Sequence, residues 1–320
     1  MLKTAISWVG WGLIAVAVAA VLAHALAGWV WSADVAELFR PWLAALSLAP
    51  LALFAAIRAP FASCVAGLAA LINVAMLVSP AIALGLPGTN EGGRPLVLVS
   101  YNCLSSNTQQ ARFAAWVRRI RPDVIALQEA PFAWRETISG LKDVLPYTSS
   151  SEVEGWRSTR LLSRSPITNA SRFVPTDDGR AVEHASINLG YRPVEVFAIH
   201  PNTLQDPAEW KNRNAYLGLA AQWISGIAAD KPALVLGDFN TSPWSPYFAG
   251  FLRATRLKAI DLTMVPHPTR ILWEFAGVLF GSPIDHIAAS NQFRKLDCEV
   301  GPDLGSDHRP LVCRVDLQRR

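Results

Sequence analysis

The first 88 residues of this 320-residue chain carry five charged side chains, Lys3, Asp34, Glu37, Arg40 and Arg58. That leaves 26 basic and 23 acidic residues for the remainder, an ordinary soluble composition. The chain therefore reads as a membrane segment, residues 1–88, a short linker, 89–95, and a globular domain, 96–320. Three apolar stretches fill the first part: Ile6 to Trp31, Trp42 to Ile57 and Phe61 to Leu84. About 20 apolar residues cross a bilayer core, so spans are expected at about 6–31, 38–57 and 61–84. The second reaches that length with a start near Leu38. Trp8 and Trp11 at one end of the first stretch, and Trp29 and Trp31 at the other, sit where interfacial aromatic belts fall. Lys3, the run Leu13–Ala23 and the Ala25-Leu26-Ala27 triplet also fit a secretory signal, and the two later stretches would still anchor its product.

With Lys3 and Arg58 on the cytoplasmic face, three spans put the globular domain outside the cytoplasm. The expected setting is a bacterial inner or cell membrane, with the bilayer as partner and no protein partner evident. Arg40 then falls on the outer side. His24, near an interface, reads as a solvated or hydrogen-bonded histidine. The domain's slight positive balance permits an anionic substrate, but lacks the dense basic patch of a protein that grips many phosphates. No cysteine pair has CxxC spacing, which argues against zinc. Cys298 and Cys313 fall on the last two expected strands, where they could face each other and pair; buried free thiols are the commoner state and the reading preferred.

Apolar runs at Pro95–Tyr101, Val124–Gln128, Leu161–Ser163, Ala185–Leu189, Val194–His200, Ala233–Leu236, Ile284–Ala288, Leu296–Val300 and Leu311–Val315 predict strands. Helical spacing covers Gln109–Ile120, Ala208–Ile227 and Ser245–Leu252. This alternation implies a mixed sheet core faced by helices. Most of the strands that carry polar motifs end in one: Asn102, Gln128-Glu129, His200-Pro201, and Gly237-Asp238-Phe239-Asn240. Ile284-Asp285-His286 and Gly305-Ser306-Asp307-His308-Arg309-Pro310 flank two more. Taken singly, each fits an Asx turn or a helix cap; turn chemistry does not explain why they cluster at the ends of apolar strands.

Phosphate-ester hydrolysis needs hard oxygen ligands for a divalent cation, a group to align and deprotonate water, and donors for the phosphoryl oxygens. Glu129 is the best single ligand, with Asp307 a second. Asp238 and Asn240 alternate along one strand exit and can share a mouth. There Asp238 would handle the water and Asn240 would donate to phosphate. His308 with Asp285 supplies a histidine whose tautomer a carboxylate fixes, and His200 is a second imidazole.

Together these motifs resemble the endonuclease/exonuclease/phosphatase superfamily, the deoxyribonuclease-I-like fold, over about residues 96–317. The resemblance implies a four-layer α/β/β/α sandwich and a Mg2+- or Mn2+-dependent phosphoesterase. It implies Glu129 as principal metal ligand supported by Asn102 and Asp307, and Asp238 and Asn240 for nucleophile and phosphate. His308 paired with Asp285, and His200, would bind and protonate the phosphate. The segment Trp156–Pro166 departs from the pattern: the glycine-rich lead-in is missing, as is the acid or tyrosine that some members carry there. Arg157 and Arg160 are the substrate-contact candidates in its place. Such a family includes nucleases, sphingomyelinases and inositol-phosphate phosphatases. Anchoring favours a lipid headgroup or extracytoplasmic nucleic acid as substrate; a catalytically silent binding domain is the other-class alternative. The apolar run Ile271–Phe280 either dips into the bilayer or packs on the sheet.

Overall fold

Two helices dominate the N-terminal part: α1 (Leu2–Leu26), and α5 (Pro60–Ile82) after the short α2 (Trp31–Glu37), α3 (Arg40–Ser47) and α4 (Ala49–Ala56). The computed structural model describes residues 1–82, 95–130, 132–149, 157–190, 192–263, 267–271 and 280–318. Two helices are long and apolar enough to cross a membrane, or three if α2 and the α3–α4 rod are one span bent by 75°. The second apolar stretch starts its helix at Arg40, not Leu38, because the chain turns at Leu38–Phe39 and Pro41 opens the new helix. Pro50, near the start of α4, lacks the N–H that would continue α3 unbroken. The end of the third expected span and most of the 89–95 linker lie outside the described residues.

Contacts set the helix directions. Phe54 packs against Ile14, Ala62 and Ala66, Asn73 Nδ2 donates to the Ala17 carbonyl at 3.2 Å, and Arg40 Nη2 donates to the Ala20 carbonyl at 3.2 Å. The α3–α4 rod thus runs antiparallel to α1, while α5 runs parallel to it. The end of α1, the start of α3 and the end of α5 share one end of the bundle. Arg40, expected at the outer surface, is instead fully buried there. It donates to Glu37 and to Asn73 Oδ1 (3.4 Å), and His24 Nδ1 lies 3.3 Å from Glu37 Oε2. A buried guanidinium needs that counter-charge and those acceptors.

The domain runs β1 (Leu96–Asn102), α6 (Gln110–Ile120), β2 (Val124–Gln128), α7 (Arg135–Ser139), β3 (Tyr147–Thr148), β4 (Thr159–Ser163), β5 (Ile167–Phe173), β6 (Val182–Leu189), β7 (Arg192–Ile199) and α8 (Pro207–Ala228). It continues with β8 (Ala233–Asp238), α9 (Pro246–Thr255), β9 (Lys258–Ala259), β10 (Arg270–Ile271), β11 (Gly281–Ser282), β12 (Asp285–Ala289), β13 (Phe293–Val300) and β14 (Leu311–Leu317). One six-stranded sheet has the order β13-β14-β1-β2-β4-β3; the other has the order β5-β6-β7-β8-β12-β9. Alternate residues of both, including Leu98, Ala126, Leu161, Val196, Leu236 and Ile287, meet in a shared core. Val99, Ile125 and Leu127 point the other way, onto Phe113, Trp116 and Val117 of α6. Phe197 and Val235 face Tyr216, Leu217 and Ile224 of α8 and Phe248 and Phe251 of α9. Helix, sheet, sheet, helix: the architecture has the four layers expected.

Two features differ from the sequence reading. β5 carries no apolar run because it is an edge strand exposed along nearly its whole length. Cys298 and Cys313, read as free thiols, face each other in register across β13 and β14 and form a disulfide.

The bundle's shared end docks on the sandwich. Tyr247 donates to the Gly28 carbonyl (2.8 Å), Trp31 Nε1 to that of Leu204 (2.9 Å), Trp244 Nε1 to that of Leu77 (2.9 Å) and Ser282 Oγ to that of Leu38 (3.0 Å). Phe280, the last residue of the apolar run expected to dip or pack, stacks on Trp42 with ring centroids 4.6 Å apart. Residues 272–279 of that run lie outside the described residues.

Candidate active site

Strand direction gathers the polar motifs. β1 and β2 run parallel, as do β7 and β8, so their C-terminal ends, carrying Asn102, Glu129, His200 and Asp238, can share one edge. β12 and β14 run antiparallel to β8 and β1, so the residues that start or precede them, Asp285 and His308, return to the same edge. Asp285 is paired directly with Asp238 in the register. Gly237 permits the close approach of β7 and β8: a Cβ there would meet the Ile199 carbonyl oxygen at 2.1 Å.

A chain of contacts joins these side chains. Asn102 Nδ2 donates to Glu129 Oε1 (2.9 Å) and to Asp238 Oδ2 (3.1 Å). His200 Nε2 lies 3.5 Å from Glu129 Oε1 and 3.7 Å from Asp238 Oδ2, and His308 Nε2 lies 3.6 Å from the same Asp238 oxygen. His308 Nδ1 and Asp285 Oδ2 are 2.8 Å apart. Asn240 donates its backbone N–H to Asp238 Oδ1 (2.8 Å) and its Nδ2 to the Pro201 carbonyl (3.1 Å). Glu129 and Asn240 both hold left-handed backbone, φ +57° and +47°. Asparagine tolerates that region, whereas for glutamate it is uncommon and locates strain at the site. The Glu129 N–H bond to the Ser158 carbonyl at 2.9 Å helps hold it.

Asp307, the remaining expected ligand, is partly exposed, with Oδ2 3.6 Å from Arg270 Nε. Ser306 Oγ ties it to Asn102, donating to the Asn102 carbonyl at 2.8 Å and lying 3.4 Å from Asp307 Oδ1. Arg157 is exposed and lies beside Gly179, where a Cβ would be 3.8 Å from its Nη1; Arg160 is half-buried on β4. Among the described contacts, Arg180, missed in the sequence, reaches the cluster. It is buried, its Nη1 donates to His200 Nδ1 at 3.0 Å, and its Nε lies 3.3 Å from Asp178 Oδ2. A lone arginine in the Asp178-Gly179-Arg180 loop carries no local pattern, so only the fold reveals it.

The two histidines differ in charge. Burial, then Arg180 and then His308, push His200 well below the ordinary imidazole range, so it is neutral, accepting at Nδ1 and carrying its proton on Nε2. Burial alone would also lower His308, but Asp285 and Asp238 outweigh it and raise the pKa to about 9. Asp238 is raised to about 6, chiefly by burial, with the His308 charge opposing.

Asp238, Asp285 and His308 each offer a ligand atom within 4.8 Å of the others, a spacing that would suit a metal. While His308 holds both ring protons it donates and does not ligate, and its single charge offsets one of the two carboxylates it faces. Glu129 offers a partly exposed carboxylate of the kind a hard divalent cation takes; Asn102 turns its Nδ2 to that carboxylate and its Oδ1 to the Leu104 N–H at 3.1 Å, so its amide would have to turn over to ligate.

Glu129, Asp238 beside the charged His308, and the neutral His200 thus meet at one strand edge. The chain belongs to the Endonuclease/Exonuclease/phosphatase family, whose sequence model matches residues 99–308. No curated protein matches the sequence. Among solved structures the fold is similar to sphingomyelinase C from Streptomyces griseocarneus (17% identity, 70% of this chain and 100% of that one, TM-score 0.52). It is similar also to D. rerio TDP2 complexed with single strand DNA product (15%, 70% and 100%, TM-score 0.59). A third is an endonuclease/exonuclease/phosphatase from Beutenbergia cavernae DSM 12333 (18%, 71% and 72%, TM-score 0.56).

Proposed function

We propose that this protein is a bilayer-anchored, Mg2+- or Mn2+-dependent phosphoesterase that hydrolyses phosphate esters of lipid headgroups at the membrane surface. One observation carries the substrate class: the loops that bear the site are the loops that dock on the helices. Pro201–Leu204 follows His200 and holds Trp31; Asn240–Trp244 follows Asp238 and holds the end of α5; Ser282 precedes Asp285 and holds Leu38. The reacting edge therefore sits within a few residues of the membrane segment.

Glu129 and Asn102, with Asp307 in support, would hold the cation, which when bound neutralises phosphoryl oxygens and the leaving oxygen. Asp238, as a carboxylate, aligns a water and takes its proton. His308, kept as imidazolium by Asp285, donates to a phosphoryl oxygen. His200 and Asn240 add neutral N–H donors, and Arg180 holds the His200 ring. The family resemblance leaves delivery of the leaving-group proton to a residue that Trp156–Pro166 does not supply; His308 carries a proton suited to that step.

Two observations favour a domain outside the cytoplasm. Arg40 is neutralised by Glu37 inside the bundle, so the exposed cations Lys3 and Arg58 lie together at the far end. A Cys298–Cys313 disulfide also suits an oxidising compartment.

The test uses the full-length chain in nanodiscs. It should hydrolyse bis-p-nitrophenyl phosphate with Mg2+ or Mn2+ and stop with chelator. No hydrolysis with either cation, or undiminished hydrolysis by His308→Ala, overturns the enzyme reading. Vesicles of sphingomyelin or phosphoinositide are expected to outcompete plasmid DNA; cleavage of the plasmid alone would replace the lipid assignment with a nuclease. Reporter fusions beyond residue 88 that are active only in the cytoplasm would reverse the orientation.

A further inference from the structure

One docking contact continues into the site. Asp34 of α2 is buried, accepting a hydrogen bond from Arg213 Nη2 and another from Trp210 Nε1 at 2.9 Å. Arg213 lies on α8 and is fully buried; its Nη1 donates to the carbonyl of Asn240 at 3.0 Å and its Nε to Asn214 Oδ1 at 2.8 Å. Asn240 is thereby held at three points by three elements: its carbonyl by α8, its N–H by Asp238, and its side chain by Pro201.

The left-handed backbone at Asn240 makes that carbonyl bond consequential. A residue at φ +47° has right-handed alternatives of comparable or lower energy, and a change of φ and ψ into them would swing both the side chain and the carbonyl. Arg213 opposes the rotation. A guanidinium without solvent needs a counter-ion, and Asp34 of α2 is the carboxylate in contact with it. Tyr247 lies against the guanidinium at 5.4 Å and adds a ring face, not a charge.

We propose that Asp34 is a positioning residue of the active site: acting through Arg213, it fixes the backbone of Asn240, so that the short helix α2 of the N-terminal bundle completes the site. The inference rests on the phosphoesterase reading for the role of Asn240. The membrane segment is then a structural part of the enzyme, and the contact runs from bilayer anchor to phosphate donor in three residues.

The experiment compares full-length variants in nanodiscs, reading steady-state hydrolysis of bis-p-nitrophenyl phosphate and amide hydrogen exchange of residues 239–242. Asp34→Asn keeps the shape and removes the charge. It is expected to lower kcat about 10- to 100-fold with KM little changed, as for a sub-ångström misplacement, and to speed exchange in 239–242. Asp34→Glu should restore part of both. In an Asn240→Ala background, Asp34→Asn should have no further effect on kcat. Ser282→Ala removes a docking bond to Leu38 that does not lead to Asn240, and should leave kcat within about twofold. Wild-type kcat and exchange in Asp34→Asn, or full additivity with Asn240→Ala, would overturn the proposal. If the wild type hydrolyses no phosphoester, the enzyme reading fails, and the exchange comparison still decides whether Asp34 controls the Asn240 backbone.

Discussion

Two buried charged clusters sit close together in this molecule, and they are built on opposite plans. In the helix bundle, Arg40 finds Glu37, Asn73 Oδ1 and the Ala20 carbonyl, so its charge and its donors are answered locally. At the strand edge, Asp238 and Asp285 flank the charged His308, while Glu129 faces the neutral His200, whose ring is held by Arg180. Asp285 Oδ1 has no hydrogen-bond partner among the described residues, and Glu129 keeps some exposure. A balanced cluster closes on itself and gives a unique packing. An acid-rich one waits for a proton, a cation or a substrate, and pushes its own pKa values out of range.

The largest expected difference between the two is catalytic. Asp285→Asn should lower kcat about 10²- to 10⁴-fold, because His308 loses the group that fixes its tautomer and charge. Steady-state hydrolysis measures this, and a loss under tenfold would deny Asp285 that role. The bundle should answer to stability instead. Arg40→Met strands Glu37 in an apolar setting and should cost about 3–5 kcal/mol, read by denaturant unfolding in detergent, with kcat per folded molecule unchanged.

A third contrast is in pH. Asp238 must be ionised and is protonated as pH falls through about 6; His308 must be charged and loses its proton as pH rises through about 9. Activity per enzyme is expected to peak between those limbs, which belong to the interacting group as a whole. In Asp285→Asn the alkaline limb should move to lower pH, since the strongest influence holding the proton on His308 is gone. An alkaline limb that stays in place would show that another group sets it. The smallest effect expected is for the double change Glu37→Leu with Arg40→Met. Removing both partners of the bundle's pair should shift stability by less than about 1–2 kcal/mol in either direction, whereas no paired replacement at the strand edge should preserve activity.

The same contrast explains what could be read in advance. Gly237-Asp238-Phe239-Asn240 and Ser306-Asp307-His308 announce themselves because chemistry-bearing residues adjoin apolar strands, and pleat geometry then dictates where they point. Val124–Gln128 matched to the residue for the same reason. Arg180 and Arg213 announce nothing: one sits in a polar loop, the other inside an amphipathic helix, and each becomes informative only when the fold buries it. Arg40 misled because charge counting assumes that a cation faces water; pairing with Glu37 across one helical turn needs tertiary packing to enforce it. Edge strand β5 and the Cys298–Cys313 bond depend on strand order and register, which short-range periodicity does not encode.

The several-point docking of the helix bundle on the site loops has a kinetic consequence. With the helices in a bilayer, as proposed, the reacting edge would be held at a fixed height and a fixed tilt. For headgroup substrates, turnover would then follow the mole fraction in the surrounding leaflet and not the bulk concentration, so that diluting a substrate lipid among inert lipids slows the reaction at constant total substrate. Molecules in free solution would have to diffuse into the gap between domain and membrane. The docking geometry would thus act as a filter on where a phosphate ester resides before any contact with Glu129 or His308 tests what it is.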